Sequence, residues 1–191
     1  MSDNKQYEQL PSASQGNPMN IMMPVMYHVV GIAMAFGVDS FGSEEKLRNA
    51  GLVVDAQTTN IAVVAVVAFA LACLGALVNA ARVKYDVPWP YLMLNRGDKN
   101  AVEYNAVQRA HANFIEAAVA MVPMTIVLSP IAPSVVFVNS QLWAWGKFMM
   151  SMSYASGPDI KQRAAWAWSY LPYYILHGYL WVFLIRKFGK F

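Results

Sequence analysis

The sequence predicts an all-α integral membrane protein, a four-helix transmembrane bundle preceded by an additional N-terminal hydrophobic helix whose placement the sequence leaves open. Hydrophobic residues make up 57% of the 191 residues and charged residues only 13%, whereas an average soluble domain is about 25% charged. The apolar residues are gathered into runs long enough to cross a bilayer. The six Trp and ten Tyr fit the interfaces of a helical bundle better than a β-barrel.

Two segments are clear membrane spans. Residues 61–81 carry no charged side chain, and residues 164–185 are rich in Trp and Tyr and are followed by Arg186 and Lys187. Each is long enough, since about 20 residues at a rise of about 1.5 Å cross a hydrocarbon core of about 30 Å. Pro172 predicts a kink in the second span, which neighbouring helices must accommodate.

The two spans between them carry polar residues. Residues 117–128 are apolar but make only about 18 Å of helix. We therefore predict that the helix extends back to about residue 100 and brings Asn113 and Glu116 into the membrane. Residues 135–154 are predicted to cross back with Lys147 inside the span. We interpret Lys147 as a buried partner of Glu116 or as a side chain that reaches the membrane surface.

The chain divides into an N-terminal extension, residues 1–57, and a membrane domain, residues 58–191. The extension contains an apolar stretch, residues 21–38, that either spans the membrane or lies on the bilayer or on another protein. A polar linker, residues 42–58, is predicted to follow it. The first residues of the extension are polar and predict no cleavable targeting signal. Because a four-helix bundle does not need this extension, we expect it to pack outside the bundle of its own subunit, on a neighbouring copy or a different protein.

Charge and cysteine content argue against several functions. The net charge is only +3, and the sequence has no block of like charges, so nucleic acid is not an expected partner. Cys73 is the only cysteine, and the three histidines are scattered. No disulfide and no metal site are therefore expected.

A polar stripe on the helix that ends near residue 128 carries the candidate chemistry. Asn105, Arg109, Asn113 and Glu116 fall within about 80° of one another, at spacings of four, four and three residues. Charged groups inside an apolar helix normally face a bundle interior or a polar ligand. The stripe is therefore either structural, with Arg109 and Glu116 paired to neighbouring helices, or a site where Arg and Asn bind carboxylates and Glu binds an amine.

The stripe lies within a recognisable motif. The segment AVQRAHANFIEAA, residues 106–118, closely resembles the second-helix motif of the membrane-associated proteins in eicosanoid and glutathione metabolism, the MAPEG family. Upstream, AARVKYDVPWPYLM, residues 80–93, resembles the basic end of that family's first helix and the loop after it. The resemblance covers about residues 58–187, and the branch it resembles most is that of the microsomal glutathione transferases.

The resemblance implies a homotrimer of four-helix subunits that binds glutathione in a U shape between neighbours, near one membrane surface. It also implies that a nearby cation activates the thiol of glutathione as a thiolate. Lys161 and Arg163 are either candidates for that cation or ordinary loop cations. The implied glutathione-binding residues are Arg82, Arg109, His111, Asn113, Glu116 and Tyr154, and the implied catalytic residues are Arg82 and Arg163.

Some positions depart from the family pattern. Met149 and Ser153 stand where relatives carry two Tyr near the end of the third helix, and Tyr154 is one residue away, or about 100° around the helix. Val83 stands where relatives often carry a second basic residue, although Lys84 follows.

Two functions of different classes follow. The first is a membrane-bound glutathione transferase or peroxidase acting on lipophilic electrophiles, which the complete stripe favours. The second is a non-catalytic accessory subunit of a larger organellar membrane complex, bound through residues 1–57, which the departures and the extension favour. Either function places the chain in the endoplasmic reticulum or in a mitochondrial or other organellar membrane.

Overall fold

All regular secondary structure is helical in the part of the chain that the computed structural model describes, residues 29–30, 32–33, 43–95, 97–156 and 165–189. These ranges contain no strand, which confirms the all-α prediction. The apolar stretch 21–38 lies mostly outside the described residues, so its placement stays a prediction. The helices are α1 (Ser43–Asn49), α2 (Ala56–Tyr85), α3 (Ala101–Leu128), α4 (Pro133–Ala155) and α5 (Tyr170–Phe188), with a short 3-10 helix at Ala167–Ser169 before α5.

Helix α2 begins at a side-chain cap and is longer than its apolar run. The Asp55 carboxylate accepts hydrogen bonds from the backbone N–H of Thr58 at 2.7 Å and from the Thr58 hydroxyl at 2.9 Å. These bonds hold the pKa of the Asp55 carboxyl below its usual value. Because the cap fixes the first turn, the helix covers residues 56–85 rather than the predicted 61–81. It ends where Asp86 adopts a left-handed conformation with a φ of 54°.

The four long helices share one core. Helices α2, α3 and α4 pack against one another, and α5 packs on α4 and α3. Phe114 and Trp143 are fully buried between them, with ring centroids 5.9 Å apart, and Leu74 and Leu176 pack in the same core. This packing brings side chains of α3, α4 and α5 together on one side of the molecule.

Helices α2 and α3 are long and apolar enough to cross a membrane. Only 28% and 33% of their most apolar stretches are buried, whereas the core helix of a soluble protein is mostly buried. Large apolar side chains such as Ile61, Phe69 and Val119 are exposed on them, as expected of surfaces that face lipid. Helix α3 is continuous through Asn113 and Glu116, which confirms the predicted extension of this helix.

The polar linker predicted for residues 42–58 instead contains a helix, α1, because Ser43–Asn49 packs on α4 of the same subunit. The Glu44 carboxylate accepts hydrogen bonds from the backbone N–H groups of Ser134 and Val135, at 3.3 and 3.0 Å. A carboxylate is favoured there because the first N–H groups of a helix lack partners and carry partial positive charge. The prediction that residues 1–57 pack outside their own bundle is therefore wrong for this part of the extension, and its first 28 residues lie outside the described part of the chain.

Replacing Glu44 with alanine is expected to lower the free energy of unfolding by about 1 kcal/mol, the usual effect of losing a side-chain cap at a helix N-terminus. Thermal unfolding of the purified protein measures the change. Glu45→Ala is the matched control, because Glu45 is an exposed acidic residue on the same helix. Equal melting temperatures for the two variants would contradict the assigned role of Glu44.

Candidate functional site

Arg109, Asn113 and Glu116 lie along one side of α3. Arg109 Nη1 is 3.8 Å from Glu116 Oε1, two turns along the same helix, and the two side chains are 51% and 62% exposed. The two side chains therefore share a face of α3, as their spacing predicts. The ion pair joins two residues of the same helix, whereas the structural interpretation expected each of them to pair with a neighbouring helix. Both side chains lie on the accessible surface of the subunit, so their charged groups are available to a ligand.

A pocket of about 330 Å³, here called the polar pocket, lies between α3, α4 and α5. It is concave, mostly aromatic or aliphatic, and has a few polar groups from different helices, which is typical of small-molecule sites. Its described lining consists of Asn113, Glu116, Ala117 and Ala120 from α3, Trp143 and Lys147 from α4, and Tyr170, Tyr173 and Tyr174 from α5.

Lys147 is the buried cation of the polar pocket. The residue is 5% exposed, and its Nζ donates a hydrogen bond to Tyr170 Oη at 3.1 Å. Lys147 is therefore buried, as one interpretation of the sequence held, but its hydrogen-bond partner is Tyr170 rather than Glu116. Among the described residues, no carboxylate lies within ion-pair distance of this ammonium. An ammonium group has three donors, so Lys147 can also bind an anionic ligand in the pocket.

Gly146 allows the segment before α5 to approach α4 closely. A Cβ atom at this position would lie 2.6 Å from Ser169 Cβ and 3.0 Å from Trp168 Cη2. The contact comes one residue before Lys147 on α4 and one residue before Tyr170 at the start of α5. It therefore positions the two side chains that hydrogen-bond across the pocket.

Gly146→Ala is expected to destabilise the protein by about 1–3 kcal/mol, because an added methyl group in a close-packed contact forces backbone shifts. Gly75→Ala is the control, since a Cβ at Gly75 would meet nothing within 4 Å. That change is expected to be neutral or to stabilise α2 by up to about 1 kcal/mol. Thermal melting curves of the two variants and the wild type measure both effects. An equal change in melting temperature for both substitutions would show that the Gly146 contact is not tight in solution.

Arg82 lies in a different environment from the stripe. It is 6% exposed, and its Nη1 and Nη2 donate hydrogen bonds to the carbonyl oxygens of Pro88 at 3.3 Å and Tyr91 at 2.7 Å. The guanidinium carbon lies 4.0 Å from the centre of the Trp89 ring. Its buried Nε has no partner among the described residues. In this structure Arg82 therefore holds the loop that follows α2.

The remaining predicted site residues are dispersed. Asn105 belongs to the stripe but binds the same loop, because its side-chain amide both donates to and accepts from the backbone of Leu94 at 2.8 Å. His111 and Tyr154 are partly buried and are not part of the described lining of the polar pocket. Arg163 lies outside the described residues.

Three tyrosines that the sequence analysis did not single out line the polar pocket. Tyr170, Tyr173 and Tyr174 come from α5, whereas Met149 and Ser153, the positions where two Tyr were expected, are not part of the described lining. The spacing of the three tyrosines places them on one face of a helix, and this spacing is the signal that could have identified them. The tyrosines of the pocket therefore come from α5, and Trp143 of α4 completes its aromatic lining.

The sequence model of the MAPEG family matches residues 60–182, a range that includes most of α2, all of α3 and α4, and most of α5. No curated protein and no solved structure matches the chain. Together with the two apolar helices, the family match indicates an integral membrane protein.

Proposed function

Since the chain belongs to the MAPEG family, we propose that it is a membrane-bound glutathione transferase of the microsomal branch that acts on lipophilic electrophiles in an organellar membrane. The proposal includes α2 to α5 as four membrane spans and a homotrimer. Helices α4 and α5 have 23 and 19 residues, which is about the length that a span needs. Both pack on helices that are apolar enough to cross a membrane.

The charge pattern around the polar pocket carries this proposal. Glutathione has two carboxylates and one ammonium group at neutral pH. Arg109 and Lys147 provide two cations, and Glu116 provides one carboxylate. Arg binds carboxylates through paired hydrogen bonds, and Lys binds them as a point charge. Because the Arg109–Glu116 pair lies on the accessible surface of the subunit, each of its charged groups can pair with a group of the ligand instead of with the other.

The reaction needs the sulfur of glutathione as a thiolate, because the thiolate is the nucleophile. Tyr170 Oη accepts a hydrogen bond from Lys147 and has its own proton to donate to the sulfur. The thiol proton first passes to water, and the thiolate then attacks the electrophilic carbon to form a C–S bond. Either a leaving group departs with the electron pair of its bond to that carbon, or a strained ring opens and the oxygen it releases takes a proton from water. Lys161 and Arg163, the candidate cations from the family resemblance, both lie outside the described residues, and a catalytic role of Arg163 stays a proposal.

The test is calorimetry of the purified protein with glutathione, followed by an assay of conjugation to a generic aromatic electrophile. Binding at millimolar glutathione together with conjugate formation would support the proposal. The dimethyl ester of glutathione, which lacks both carboxylate charges, should bind much more weakly. If calorimetry detects no heat when glutathione is added, the polar pocket is not a glutathione site. Binding without turnover would favour the accessory subunit instead.

A further inference from the structure

A group of large apolar side chains is exposed in the segment that joins α2 to α3. We call residues 88–94 the apolar loop. Trp89 is 72% exposed and Leu92 is 67% exposed, and Tyr91 and Met93 are exposed beside them. Contact of such side chains with water is unfavourable, and exposed groups of them mark surfaces that bind a protein or a membrane. The apolar loop therefore has the composition of an interaction surface.

Hydrogen bonds from both flanking helices hold the backbone of the apolar loop. At the end of α2, Arg82 donates to the carbonyl oxygens of Pro88 and Tyr91. Near the start of α3, the side-chain amide of Asn105 accepts from the N–H of Leu94 and donates to its carbonyl oxygen. Because the backbone is held from both sides, the apolar side chains are presented outward in a fixed arrangement. A surface organised in advance loses less conformational freedom on binding.

The same hydrogen bonds fix the height of the apolar loop relative to the membrane. Arg82 is the first charged residue after the uncharged run of α2, so the hydrocarbon of the bilayer ends near it. The bonds from Arg82 to Pro88 and Tyr91 draw the loop back to this height. The Trp89 ring is also held there, with its centre 4.0 Å from the guanidinium carbon. The exposed side chains therefore lie where hydrocarbon meets the lipid headgroups.

We propose that the apolar loop inserts into the headgroup region of the bilayer that α2 and α3 cross. Trp89 and Tyr91 then lie among the headgroups, and Leu92 and Met93 reach the first carbons of the acyl chains. Trp and Tyr are enriched at this depth because their rings have an apolar body and a polar edge. The apolar loop thereby anchors the end of α2 and the start of α3 at one membrane surface.

Charges beside the apolar loop show which property of the membrane it recognises. In the described part of the chain, the exposed Lys84 and Lys99 are matched by the exposed Asp86 and Asp98. A surface that recognises anionic headgroups carries a cluster of cations instead. The loop is therefore held by apolar contact, and its insertion should not depend on anionic lipids.

Spin labels on the full-length protein in nanodiscs test the proposal. In a Cys73→Ala background, one cysteine at a time is introduced as Leu92→Cys or Met93→Cys in the apolar loop, or as Lys99→Cys for the control. Lys99 is exposed and precedes the first residue of α3, so its label should lie in water. Collisions with oxygen, which concentrates in lipid, and with a water-soluble nickel chelate locate each label. Oxygen collisions should dominate at residues 92 and 93, and nickel collisions should dominate at residue 99.

Three results would overturn the proposal. If labels in the apolar loop collide with nickel as often as the label at residue 99, the loop lies in water. If these labels are shielded from both reagents, protein covers the loop. Spin–spin broadening that disappears on dilution with unlabelled chains would then identify a second copy as the cover. Finally, nanodiscs of phosphatidylcholine should give the same values with and without phosphatidylserine, and a requirement for phosphatidylserine would show that charge holds the loop.

Discussion

Replacing Arg82 with alanine is expected to lower the free energy of unfolding by roughly 3–6 kcal/mol, since two hydrogen bonds from a charged donor contribute about 1.5–3 kcal/mol each. The carbonyl oxygens of Pro88 and Tyr91 accept from this guanidinium and would lose their donor. Trp89 would lose the cation that lies over its ring. Denaturant or thermal unfolding of the purified protein measures the loss.

Two comparisons make the Arg82 experiment specific. Lys84→Ala removes an exposed cation two residues further along α2 and is expected to change the melting temperature little. Glutathione affinity, measured below the melting temperature of Arg82→Ala, then separates the two roles of Arg82. If Arg82 holds the loop, as its hydrogen bonds indicate, the affinity should change little. A variant with wild-type stability and no glutathione binding would instead support the ligand-binding role that the family resemblance implies.

The long helices could be predicted in outline because their signals are local, whereas α1 lies where a polar linker was predicted and α5 begins at Tyr170 rather than at residue 164. Helix α3 illustrates this, since an apolar run too short to cross the membrane required an extension through Asn113 and Glu116, and the helix is continuous there. The end of α2 could be predicted only approximately, because the apolar run stops at residue 81 whereas the helix continues to Tyr85. The contacts of Arg82 could not be predicted, because they depend on the backbone path of the loop and not on the residue types in it.

The polar pocket was only half predictable, for a related reason. Asn113 and Glu116 come from one helix, and their spacing alone places them on one face. Lys147 and Tyr170 are 23 residues apart in the sequence, and their contact depends on the close packing at Gly146. No local pattern encodes such a contact. The same holds for Glu44, whose hydrogen bonds reach residues about 90 positions away.

Glu116→Gln is expected to weaken glutathione binding by about 10- to 150-fold, because a hydrogen bond to a charged group contributes about 1.5–3 kcal/mol. Glutamine keeps the size of the side chain and its carbonyl acceptor but removes the negative charge that pairs with the ammonium group of glutathione. Because Glu116 also lies 3.8 Å from Arg109, its removal leaves the guanidinium free to bind a carboxylate of the ligand. The loss of affinity should therefore come only from the interaction with the ammonium group of glutathione, and calorimetry with two ligands can show this.

N-acetylglutathione is the second ligand, since it keeps the rest of the peptide but has no ammonium group. The wild type should bind it more weakly than glutathione, and Glu116→Gln should bind the two ligands about equally. Glu103→Gln is the matched control, because Glu103 is an exposed acidic residue in the first turn of the same helix and should leave the preference intact. If Glu116→Gln weakened both ligands by the same factor, Glu116 would act on the shape of the polar pocket and not on the charge of the ligand. Raising the salt concentration should reduce the wild-type preference as well, because exposed charges are screened.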